Sequence, residues 1–171
     1  MGSIGVRRGC LVLCVWVLLG FAGCGSSVPP PPARFSAEVR IVSREAQQCA
    51  ALEAERPGVL RLVYTSPAPL AGMVISIESE DAAIEYAGMR KQVPAAGLEG
   101  AAPLLNQVLL QLAQPPEKKA LRRMRGIGWE RKGDVGGLEY VARLSEEGAL
   151  QSVKAPRAGL EILVGRGDAV E

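Results

Sequence analysis

Phe35-Ser36-Ala37-Glu38-Val39-Arg40-Ile41 places an apolar side chain at every second position and a polar one between. A period of two is the mark of a strand with one buried and one wet face, because successive side chains leave a strand on opposite sides. Working outward, the same period returns. Around Gln48 to Glu55, Ala50, Leu52 and Ala54 share one face, and Arg56-Pro57-Gly58 supplies a tight turn. From Val59 to Thr65, Leu60, Leu62 and Tyr64 stand against Arg61. Ser66-Pro67-Ala68-Pro69 ends that strand, since proline cannot donate to a ladder. Met73, Ile75 and Ile77 then alternate with Ser76 and Glu78, Glu80-Asp81 turns the chain, and Ile84 and Tyr86 flank Glu85. Short antiparallel strands in a meander are predicted.

A different period interrupts them. Leu104, Leu105, Val108, Leu109 and Leu112 recur at helical spacing, with Asn106, Gln107 and Gln111 opposite. Pro103 is placed as the first helical residue, and Gln114-Pro115-Pro116 ends the helix. A polar face of amides without charge suits a helix partly covered on both sides. Strands resume at Ile127 and Trp129, with Lys132-Gly133-Asp134 read as a turn. Leu138, Tyr140, Ala142 and Leu144 alternate, Glu146-Glu147-Gly148 turns, and Leu150 to Ala155 and Leu160 to Val164 close the series. The expectation is a mainly β (α+β) protein: about five strands, one long amphipathic helix and about four more strands, making one antiparallel sheet with one face covered.

The N-terminus reads as an export signal. Arg7 and Arg8 precede Cys10 to Leu19, which has no polar side chain apart from two thiols, and small Gly23 stands before Cys24. The apolar run is shorter than the roughly 20 residues that span a bilayer. The alternative is an uncleaved anchor helix. Leu19-Gly20-Phe21-Ala22-Gly23-Cys24 resembles the lipobox of bacterial lipoproteins, with Phe21 where that family usually has Leu. The resemblance implies that Cys24 becomes an acylated N-terminus carrying palmitate-type chains. Residues 1–23 are then a signal peptide, 24–34 a lipidated cysteine with a Pro-rich tether, 35–165 the folded domain and 166–171 a polar tail. Pro29-Pro30-Pro31-Pro32 makes the tether a stiff spacer. Of the chain's 4 cysteines only Cys49 remains free, so no disulfide is expected, although an unacylated Cys24 would leave a Cys24–Cys49 bridge open.

Composition narrows the function. The chain of 171 residues carries 20 Lys and Arg against 18 Asp and Glu, and losing Arg7 and Arg8 balances them. No nucleic-acid partner is expected from such a balance. With 0 histidines, Ser-His triads, Cys-His dyads and His-ligated zinc are excluded. Glu78, Glu80, Asp81 and Glu85 straddle a turn and read as a solvated hairpin tip. Gly126-Ile127-Gly128 lacks the third glycine and helix of a phosphate loop and reads as a strand with a bulge. Arg166-Gly167-Asp168 in the tail matches an adhesion tripeptide by chance. Lys118, Lys119, Arg122, Arg123 and Arg125, interleaved with Leu121 and Met124, form either a solvated loop or short helix face, or a contact for anionic lipid headgroups.

The order of elements resembles the LolA/LolB-like superfamily of lipoprotein carriers. Phe35 to Ile41, Pro67-Ala68-Pro69-Leu70-Ala71-Gly72, Tyr86-Ala87-Gly88-Met89, the Leu-rich helix and the pair around Glu147-Gly148 and Leu160 to Val164 carry the likeness. The family's usual helix before the first strand is missing, and the tether occupies its place. The resemblance implies a curved, incomplete β-barrel of about nine strands whose concave face is covered by the helix and holds acyl chains. The expected hydrophobic-ligand face is Leu60, Leu62, Tyr64, Met73, Ile75, Ile77, Leu105 and Leu109. The reading is a non-enzymatic exported lipoprotein, monomeric, anchored to the bacterial cell membrane, with the outer membrane left open as the site where the host has two. It binds a lipid or another lipoprotein and needs no cofactor or metal. The alternative is a structural or interaction lipoprotein at the cell envelope, with a closed core and no lipid ligand.

Overall fold

The computed structural model describes residues 34–117 and 120–165. Six strands come first: β1 (Phe35–Val42), β2 (Gln47–Arg56), β3 (Val59–Ser66), β4 (Val74–Glu78), β5 (Asp81–Tyr86) and β6 (Met89–Pro94). The helix α1 (Ala101–Leu112) follows, and then β7 (Leu121–Met124), β8 (Gly128–Val135), β9 (Leu138–Leu144), β10 (Leu150–Ala155) and β11 (Leu160–Val164). All join one antiparallel 11-stranded sheet in the order β6-β5-β4-β3-β2-β1-β11-β10-β9-β8-β7. Two meanders are sewn together where β1 meets β11, Val39 opposite Val164 and Ile41 opposite Ile162. Helix α1 carries the chain from one edge, β6, to the other, β7.

The sheet rolls around the helix. Leu110 Cδ2 lies beside Gly58 at the β2–β3 turn, and the next residue, Gln111, donates to the Asp134 carbonyl on β8. In a flat sheet those two places would be about 24 Å apart, five spacings of about 4.8 Å. A helix with its side chains is only about 10–12 Å across. Both contacts exist only because the sheet curves, so the helix-covered face is the concave one. The two edges do not pair, and the barrel stays open.

Alternation delivers the core as expected. Val39, Ile41, Ala50, Leu52, Leu60, Leu62, Ile77, Tyr140, Ala142, Leu144, Val153 and Ile162 all point inward and form one cluster with Leu104, Leu105, Val108, Leu109 and Leu112 of α1. Strands and helix together close this core within 34–165, which is enough chain for an independently folding unit.

Four local expectations are corrected. The sheet has eleven strands, not nine, because β6 and β7 are edge strands. Their residues are mostly exposed, only Val93 being partly covered in β6, so burial imposes no apolar alternation on them. Lys132-Gly133-Asp134 is no turn but lies inside β8, and the chain reverses at Gly136-Gly137. Gly126 and Ile127 belong to the turn between β7 and β8 rather than to a bulged strand. Pro103 is the third residue of α1 rather than the first, and Gly100 holds the N-cap position.

Candidate functional site

The concave face assembles the residues expected to line it. Register sets Leu60 of β3 opposite Ile77 of β4 and Leu62 opposite Ile75, so four aliphatic side chains tile one patch. Tyr64 extends it, and its backbone N–H donates to the Met73 carbonyl at 2.8 Å. Helix α1 packs on β3, β4 and β8 and brings Leu105 and Leu109 down onto this surface. Leu60, Leu62, Tyr64, Ile77, Leu105 and Leu109 are buried, while Met73 and Ile75 are half-buried. Burial also pushes the Tyr64 phenol above its ordinary value.

The helix is fastened at one end. Gln111 Nε2 donates to the Asp134 carbonyl at 2.6 Å, and its Oε1 accepts from the Tyr140 hydroxyl at 2.7 Å. Arg131 Nη1 donates to the Gln114 carbonyl at 3.0 Å just past the helix. Among the described residues no such side-chain bond holds the other end. Gly100 offers no capping side chain, the first turn holds no acidic residue, and Gly97 and Gly100 lead into it. An uncapped helix start leaves backbone N–H groups without helical partners.

Sequence reading missed two amides. Spacing alone assigns Gln111 to a generic polar face, whereas the structure makes it the tie between helix and sheet. Spacing assigns Asn106 to that face too, yet it is only 2% exposed and its Oδ1 has no hydrogen-bond partner. The available signal is that an amide near the aliphatic stripe of a covered helix is costly to bury without a partner.

The cationic segment is divided by its own strand. Leu121–Met124 is β7, so Arg122 and Arg123 leave on opposite faces. Arg122 stands opposite Glu130, while Arg123 stands opposite Trp129 with its guanidinium carbon 5.5 Å from the indole centroid. Arg125 sits in the exposed turn beside Ile127, which is 55% exposed. Lys118, Lys119 and Cys24 lie outside the described residues, as do the signal peptide, the tether and Arg166-Gly167-Asp168.

The carboxylates near the β4–β5 turn are dispersed. Glu78 pairs with Arg56 at 3.4 Å and Glu85 with Arg90 at 3.2 Å, and Glu80 and Asp81 are exposed. Among the described residues no three His, Cys, Asp or Glu side chains gather as a metal-ligand set. Cys49 is free and partly buried on the outer face. It borders a shallow depression of about 290 Å³ with Glu38, Arg40, Thr65 and Leu163.

No protein-family model matches the chain, and no curated protein matches it. Solved structures do resemble it. An uncharacterized conserved protein from Thermus thermophilus superposes with a TM-score of 0.51 at 12% identity, covering 82% of this chain and 80% of that one. That likeness shows a shared fold. A LolA superfamily protein from Nitrosomonas europaea superposes with a TM-score of 0.45 at 10% identity, covering 84% of this chain and 89% of that one.

Proposed function

We propose that this protein is an exported, lipid-anchored carrier whose concave face takes up an acyl chain beneath α1. One observation carries the reading: a single helix, tied to the sheet through Gln111 and Gln114 at one end and uncapped at the other, covers the aliphatic patch of β3 and β4. The magnitudes permit exchange. Ten methylenes of a ligand contribute about 8 kcal/mol gross, comparable with the three or four leucines that α1 would withdraw at about 1.5–3 kcal/mol each. The Arg7-Arg8 export signal and Cys24 supply the anchor, so the carrier works beside a membrane.

The complete burial of Leu62 and Leu105 favours the second reading, an envelope interaction lipoprotein whose core stays closed. Native mass spectrometry of the chain from Gly25 onward separates the two. Co-purifying lipid, or uptake of a fluorescent fatty acid, is the expected result. A clean apo mass with no uptake overturns the carrier reading and leaves the closed one.

A further inference from the structure

At about 100° per residue, Leu105, Leu109 and Leu112 share the buried side of α1, and Asn106 and Gln111 flank that side at opposite edges. The Gln111 edge is tied to Asp134 and Tyr140 of β8 and β9. The Asn106 edge carries Leu110, which lies beside Gly58 at the β2–β3 turn, so it faces the half of the sheet that holds β3 and β4. On that side the helix meets aliphatic side chains. Yet Asn106 is buried with its Oδ1 unpartnered, the one such side-chain atom among the described residues. A buried amide oxygen without a donor costs stability that a leucine of similar size would not.

We propose that Asn106 selects the ligand: an acyl chain whose head carries a hydrogen-bond donor, a hydroxyl or an amide N–H, which Oδ1 accepts. This rests on the reading of the concave face as an acyl site. An acyl ester has no donor and would leave the oxygen unpaired. A glyceride hydroxyl and an N-acyl amide satisfy it equally, and separate ligands distinguish them.

The test uses the chain from Gly25 onward, with displacement of a fluorescent fatty acid by monooleoylglycerol, N-methyl oleamide and methyl oleate. The first two differ in donor, and the third accepts only. The donor-bearing ligands, or one of them, are expected to bind about tenfold tighter than methyl oleate, the net worth of one buried hydrogen bond. Asn106→Leu is expected to bind all three alike and to melt no lower than the wild type. Asn106→Ala, which cannot crowd the site, is expected to lose the same preference. Equal binding of all three by the wild type overturns the selection and leaves the carrier reading standing. A preference that survives in both variants also overturns it. A wild type that binds none of the three removes the carrier reading and this inference together.

Discussion

The ring of Tyr140 lies across Gly133, its partner on the neighbouring strand, and from there its hydroxyl reaches Gln111 on α1. A Cβ at Gly133 would stand 2.5 Å from the ring's Cζ and hydroxyl oxygen. The absent side chain therefore makes the space in which a sheet residue holds the helix. Gly133→Ala is expected to push the ring aside and cost about 2–3 kcal/mol, from overpacking and the lost bond. Tyr140→Phe keeps the ring and loses only the bond, at about 1–2 kcal/mol. Urea denaturation checks both. The double variant should cost less than the sum, because both changes break one interaction. Additive costs would mean that the ring does not depend on Gly133.

On the proposed carrier reading, the same tie would govern access to the concave face. Tyr140→Phe removes the hydroxyl from Gln111 without touching the aliphatic patch of Leu60, Leu62, Ile75 and Ile77. Amide exchange along α1 should quicken, and a fluorescent fatty acid should enter several-fold faster with little change in final affinity. Unchanged exchange in α1 would show that the Tyr140 hydroxyl adds nothing to the hold of the leucines and the remaining bonds from Gln111 to Asp134 and from Arg131 to Gln114.

Both buried tyrosines set a pH limit. Burial raises Tyr64 above the ordinary value of 10.0. Burial raises Tyr140 as well, and the Arg131 charge offsets part of it. The folded state thus favours the neutral phenol. Its stabilising effect is fully present below the unfolded value near pH 10 and is lost as pH rises through the folded value. Within that window each tyrosine costs about 1.4 kcal/mol of stability per pH unit. The melting temperature should fall more steeply above pH 10 in the wild type than in Tyr64→Phe. Parallel curves would mean that Tyr64 titrates as it does in water.

Much of the fold was legible because burial writes itself into alternation. β1, β3 and β9 each carry one wet and one dry face, and the period alone identifies their inward residues. The edge strands were illegible for the same reason. Met89-Arg90-Lys91-Gln92 pairs through backbone groups while its side chains stay in water, so no apolar pattern marks it. Lys132-Gly133-Asp134 misled because glycine commonly marks turns, whereas here it clears room for an aromatic ring. The lining of the concave face was readable from the strand period. The roles of Asn106 and Gln111 were not, since an amide's partner is decided by which strand the sheet's curvature brings against the helix.

Cys24 gives a prediction independent of the fold. A chain matured before Cys24 and acylated there should be heavier than residues 24–171 by the mass of its acyl groups. Cys24→Ser should remove that increment and release the protein from the membrane fraction. Each buried methylene contributes about 0.8 kcal/mol, so two or three chains hold where one does not. Intact mass of membrane-extracted protein is the measurement. A mass equal to the full precursor would assign the N-terminus to an uncleaved anchor instead.

The splitting of the arginines by β7 sharpens what a membrane contact would require. Arg123 is engaged with Trp129, and Glu130, opposite Arg122, pairs with Arg143, so among the described residues Arg125, in the turn beside exposed Ile127, is the cation set next to an exposed apolar tip. A cation near an anionic surface is worth about 1 kcal/mol, or about fivefold in binding, and is screened within about 8 Å at physiological salt. Arg125→Gln in the chain from Gly25 should therefore weaken binding to anionic vesicles about fivefold, with the difference shrinking at high salt. Ile127→Ser should weaken it further, because an apolar tip at a charged turn can enter the headgroup layer. Arg123→Gln should instead change the Trp129 fluorescence and leave vesicle affinity nearly unaltered. Equal binding to neutral and anionic vesicles would reduce the segment to a solvated edge.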